Sequence, residues 1–98
     1  MALPDDFLQE LKLRCDITDV VSSYVNLKRS GRNMVGLCPF HGEKTPSFHV
    51  VSENGYFHCF GCGAGGDVIT FIMKIENLDY IEAVRLLAQR AGLDMPEN

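Results

Sequence analysis

The chain has 98 residues, 46% of them hydrophobic, and a formal net charge of -4; this is the size of one domain, with a core thin enough to need an internal staple. No basic start followed by an apolar stretch appears in Met1 to Arg14, and no uncharged apolar run approaches roughly 18 residues, so the expectation is a cytoplasmic chain with no leader peptide, spanning helix or membrane partner. The acidity argues against a broad polyanion-binding surface, but it is unevenly spread. From Val25 to Gly66 the basic residues Lys28, Arg29, Arg32 and Lys44 face only Glu43 and Glu53, whereas the rest of the chain carries five basic and eleven acidic residues. The positive potential is local and modest.

Pro4 and two aspartates open a stretch suited to a helix N-terminus, with Phe7, Leu8, Leu11 and Cys15 along one face. Asp16-Ile17-Thr18-Asp19 resembles a capping signal, followed by the apolar Ile17, Val20, Val21 and Tyr24. At Val25 the period changes. Val25 and Leu27 alternate with polar neighbours, Ser30-Gly31 can turn the chain, and Met34 to Leu37 returns as a second strand. Next, Phe48 to Val51 and Tyr56 to Cys59 flank Glu53-Asn54-Gly55. A tight turn at Asn54-Gly55 predicts Val51 opposite His58 and Glu53 opposite Tyr56. Period two then puts His49, Val51, Tyr56 and His58 on one face, toward solvent, and Phe48, Val50, Phe57 and Cys59 on the other, toward the core. Gly61, Gly63, Gly65 and Gly66 are expected to end the sheet. Asp67 can cap a helix to Ile75, and Asp79 to Glu82 opens a last one, with Ile81, Val84, Leu87, Ala88 and Ala91 inward and Gly92 as its stop. The expectation is α+β: a small antiparallel, zinc-ribbon-like sheet over 25–66, flanked by helices over 4–24 and 67–91, in one domain spanning 1–98.

Two ligand pairs stand at the ends of the predicted strands. Cys38-Pro-Phe-His41 and Cys59-Phe-Gly-Cys62 each place two soft or borderline ligands two residues apart, so that one turn presents both to the same ion. Three thiolates and one imidazole suit a single zinc ion, iron being the competitor, and four protein ligands leave no vacancy for water, as in structural rather than catalytic sites. A disulfide framework fits less well, because a histidine is the fourth member of the set. Cys15 lies outside it, on an apolar helical face, as a packing thiol.

Three functional readings follow. His41-Gly42-Glu43 with Cys59-Phe60-Gly61-Cys62 matches the His-x-Glu and Cys-x-x-Cys elements of zinc deaminases, but Cys38 stands ready to fill the position those enzymes leave to water, and His58 precedes Cys59 where they have proline. No other catalytic residue set is present. On the solvent face, Tyr56, His58 and Phe60 offer flat rings for unpaired bases, and Lys28, Arg32 and Lys44 can reach phosphates. The third reading is protein docking, with Glu76, Asp79 and Glu82 near Tyr80 as its surface.

Leu27-Lys-Arg-Ser-Gly-Arg-Asn33, Cys38-Pro-Phe-His-Gly-Glu-Lys-Thr-Pro-Ser-Phe48 and Phe57-His-Cys-Phe-Gly-Cys-Gly-Ala-Gly-Gly66 together resemble the N-terminal zinc-binding domain of bacterial replicative DNA primases. The resemblance covers nearly the whole chain. It implies a zinc ribbon that contacts the single-stranded DNA template and helps select where the RNA primer starts. Polymerisation would belong to a separate RNA polymerase domain, reached in cis or in trans, and the replicative helicase would be met through a further C-terminal region. By the same implication the 98 residues are an N-terminal fragment, not an enzyme alone. One departure is Asn54-Gly55, at a hairpin tip where family members often carry a lysine.

Overall fold

The computed structural model describes residues 3–40 and 46–96. Four helices begin where the sequence supplies a start. Helix α1 (Asp5–Arg14) follows Pro4 and places Asp5 and Asp6 in its first turn and Lys12 and Arg14 in its last, each sign matching the helix dipole. Helices α2 (Ile17–Ser22), α3 (Val68–Ile75) and α4 (Tyr80–Ala91) are each capped by an aspartate: Asp16, Asp67 and Asp79 accept the backbone N–H of Asp19, Thr70 and Glu82. Gly92, in the left-handed conformation, ends α4.

Strands β1 (Lys28–Ser30), β2 (Asn33–Gly36), β3 (Phe48–Val51), β4 (Tyr56–Cys59) and β5 (Gly65–Asp67) form one sheet in chain order, every neighbouring pair antiparallel. This up-and-down path puts both hairpin turns at one end of the sheet and both cysteine-bearing loops at the other. The α+β expectation holds, with three corrections of detail. The first strand starts at Lys28 and not at Val25, because the Val25 N–H still bonds the Val21 carbonyl and closes the end of α2. The β3–β4 register is displaced by two residues, so that Val51 pairs with Tyr56 and His49 with His58. Of the two central residues, only Gly55 has positive φ, so the two-residue turn at Asn54-Gly55 does not form. A four-residue loop over 52–55 closes instead through bonds from the Asn54 and Gly55 N–H groups to the Val51 carbonyl. A shift of two preserves the alternation of faces. Last, Gly65 and Gly66 continue the sheet as part of a fifth strand.

The inner face is dry. Phe48, Val50, Phe57 and Cys59 are fully buried, with α2 against β3 and α3 against β4 and β5. Phe48 and Phe57 stack with centroids 5.4 Å apart, and Phe71 of α3 stands edge-on to Phe57 at 5.6 Å. Leu11, Ile72, Val84 and Leu87 complete the core between the helices. Among the described residues no buried side chain is polar or charged, so burial of apolar area, at roughly 1.5–3 kcal/mol for each large side chain, is what the helical side contributes.

Candidate metal centre and outer sheet face

Cys38 follows β2, Cys59 ends β4 and Cys62 lies in the loop before β5. Their three sulfurs lie within 4.8 Å of one another. The Cys38 and Cys62 sulfurs are 3.8 Å apart, far beyond a disulfide bond of about 2.05 Å. Zinc–thiolate bonds of about 2.3 Å in a tetrahedron set neighbouring sulfurs roughly 3.8 Å apart. The donor set therefore fits zinc in both chemistry and spacing.

Backbone bonds fasten the second loop: the Cys59 N–H to the Ala64 carbonyl at 2.8 Å, the Gly63 N–H to the Cys59 carbonyl at 2.9 Å, and the Phe60 N–H to the Ser47 carbonyl at 2.9 Å. In the first loop the Phe40 N–H points at the Cys38 sulfur, 3.4 Å away. The thiols differ in acidity. Burial, with the neighbouring thiols adding to it, pushes Cys38 up to about 12. Burial acts the same way on Cys59, but the Ser47 hydroxyl, 3.5 Å away, and the N–H groups of Cys62 and Gly61 outweigh it and bring this thiol down to about 6. A dication held among the three sulfurs would favour the thiolate form that ligation requires. His41 and Lys44, expected as the fourth ligand and a phosphate contact, lie outside the described residues. Cys15 is buried apart from the cluster, with its thiol 3.5 Å from the Leu87 carbonyl.

The outer face carries the other expected residues. Paired positions run in one row across all five strands: Lys28, Val35, His49, His58 and Gly65. Tyr56 stands in the adjacent row, opposite Val51 and Asp67. Arg32 occupies the β1–β2 turn, and Lys28, Arg29 and Arg32 are exposed with no ion pair among the described residues. Phe60, between the two ligands of the second loop, is 71% exposed and meets the imidazoles of His49 at 4.8 Å and His58 at 4.6 Å. Gly65 leaves His58 its place, since a Cβ there would stand 3.2 Å from His58 Nδ1. The sheet thus brings His58 and Phe60 together, with Tyr56 one row away and Lys28 at the far end of the His58 row. His49 was placed on this face by alternation but not counted as a contact residue. Its signal was the same period-two pattern that singled out His58.

The family model described as CHC2 zinc finger matches residues 3–98. The chain belongs to this family. Its metal is zinc, and the resemblance to primase zinc-binding domains holds over nearly the whole chain. The chain is 54% identical over 93 residues to a DNA primase of Geobacillus stearothermophilus, covering 95% of this chain and 16% of that protein. With a DNA primase of Mycolicibacterium smegmatis it shares 54% identity over 91 residues, 92% of this chain and 14% of the relative. A crystal structure of the Aquifex aeolicus primase, comprising zinc-binding and RNA polymerase domains, superposes with a TM-score of 0.87 at 43% identity over 98% of this chain and 23% of that one. The chain therefore spans about a sixth of the curated relatives it matches. No helix among the described residues is long and apolar enough to cross a membrane.

Proposed function

We propose that this chain is the template-contacting zinc domain of a cytoplasmic DNA primase, with no catalytic step of its own. Cys38, His41, Cys59 and Cys62 hold one zinc ion; the order of these residues is the one the family name spells, and three of the four have their sulfurs clustered. The primer-forming chemistry belongs to a polymerase domain met in cis or in trans, and the helicase is met through the parent protein. Residues 1–98 act as one unit in that longer protein.

The observation that carries this reading is the outer sheet face. Rings on β4 and its loop share the outer face with cations on β1 and its turn, three strands away, that have no ion pair among the described residues; single strands require this combination of stacking platforms for bases and positive charge for phosphates. The acidic surface considered for protein docking is less available. Glu76 accepts the Tyr24 hydroxyl at 2.8 Å, Asp79 caps its own helix, and Glu82 lies 3.6 Å from Arg85. Against deaminase chemistry, Cys38 sits in the sulfur cluster where such an enzyme keeps water.

The test is an amide chemical-shift titration of the zinc-loaded chain with short single-stranded DNA at low salt. Shifts concentrated at Lys28, Arg32, Tyr56, His58 and Phe60, and at Lys44, are expected. Lys28→Ala and Arg32→Ala should weaken binding to every sequence and flatten its salt dependence, whereas Tyr56→Ala and His58→Ala should change the preference among initiation sequences in the parent enzyme. An absence of shifts with zinc in place, or four variants that leave initiation unchanged, rejects the assignment.

A further inference from the structure

Phe60 is a large apolar ring held in the open by rigid parts. Its backbone N–H is bonded to Ser47, its neighbour Cys59 is fully buried, and its ring stands at 80° to the His49 imidazole and 68° to that of His58. Nothing in the core needs this side chain: the core rings are Phe40, Phe48, Phe57 and Phe71, on the opposite side of the sheet. A phenyl face stacks on any base and cannot by itself tell one from another. The two imidazoles beside it are different, since each has two ring nitrogens able to donate or accept toward a base edge. They are paired directly across β3 and β4, which fixes their spacing through the ladder and not through flexible loops.

We infer that His49, His58 and Phe60 form a receptor for one unpaired nucleobase of the DNA template, and that His49 is a specificity-determining residue of it. The inference rests on the template-contacting reading. The base stacks on Phe60, its edge meets the imidazoles of His49 and His58, and the strand backbone leaves toward Lys28 at the other end of the same row. His49 thereby changes which base is preferred, and Phe60 sets how much any base adds.

The test uses the zinc-loaded chain and a short oligothymidylate in which one position at a time is made abasic or exchanged for another base, with affinity read at low salt and zinc content checked for every variant. In the unaltered chain one position should be sensitive to base removal, by roughly fivefold to a hundredfold. Phe60→Ala should abolish that sensitivity. His49→Ala should bind the abasic oligonucleotide as before yet shift the ratio among the four bases at that position about fivefold, with His49→Gln shifting it differently. If His49→Ala leaves the ratio unchanged while Lys28→Ala still lowers affinity and the salt slope, this inference fails and the template reading stands. If neither the unaltered chain nor Lys28→Ala binds any oligonucleotide, both fall.

Discussion

Each cysteine loop carries one phenylalanine beside its ligands, and the two rings go opposite ways. In Cys38-Pro-Phe-His41 the ring comes late in the turn and folds inward, so that the centroid of Phe40 lies 6.0 Å from Phe48, 6.1 Å from Phe57 and 5.8 Å from Phe71. In Cys59-Phe-Gly-Cys62 the ring directly follows a fully buried cysteine, and alternation along the strand turns it outward. The first loop couples the metal to the core; the second couples it to the surface. Ligand spacing alone therefore does not set what a zinc loop is for, since the residue between the ligands decides which side of the sheet the metal braces.

Zinc removal is the strongest way to sharpen this contrast. Structural zinc contributes roughly 10–16 kcal/mol in small peptides, as much as the whole stability of a domain this size. Chelation should collapse the amide dispersion of residues 37–66 and release Phe40 and Phe60 alike; a chelated chain that keeps its native spectrum breaks the idea that the metal organises both loops. Smaller and more selective are the two ring truncations. Phe40→Ala should cost about 2–4 kcal/mol in urea unfolding of the zinc-loaded chain, because it opens a cavity among three rings. Phe60→Ala should stay within about 0.5 kcal/mol, as for a surface change, and equal losses would erase the distinction.

Another small effect concerns Asp67, which ends the strand returning from the second loop. Burial opposes its ionisation, but the Thr70 N–H at 2.9 Å and Lys12 at 3.1 Å outweigh this and hold its carboxyl below the usual range. A depressed carboxyl pKa adds stability above the unfolded value of about 3.9, and that contribution disappears as pH falls through the folded value. Asp67→Asn keeps a capping side chain and loses the ion pair, so at neutral pH it should cost less than about 1 kcal/mol. At neutral pH, where both proteins keep their zinc, added salt should shrink the difference between them, because it screens the partly exposed Asp67–Lys12 pair. A difference that salt leaves unchanged would assign the effect to packing.

The sequence was most readable where one residue type has one use. Aspartates at 16, 67 and 79 announce helix starts, Gly92 announces a stop, and period two assigns the faces of β3 and β4 even though their register was predicted two residues off. Register was harder because Asn-Gly suits a two-residue turn, but here only its glycine takes the left-handed conformation, in a longer loop. Strand β5 was not legible for a different reason: Gly65 and Gly66 have no side chains with which to display a period, and only the ladder to Phe57 and His58 reveals them as strand. At the site, the cysteine cluster followed from spacing alone, as did the outward Tyr56, His58 and Phe60. The meeting of His49 with Phe60 did not, since it depends on how the second loop folds back beside β3.

The row from Lys28 to Gly65 also acts as a ruler. It crosses four gaps between neighbouring strands, and at about 4.8 Å per gap its ends are roughly 19 Å apart. Adding or losing a residue within a strand cannot lengthen it; only another strand could. If the face meets a template strand as proposed, a strand laid across the sheet touches it over no more than that width, so it can present only a short word there, and a longer site would need a second surface set alongside the first.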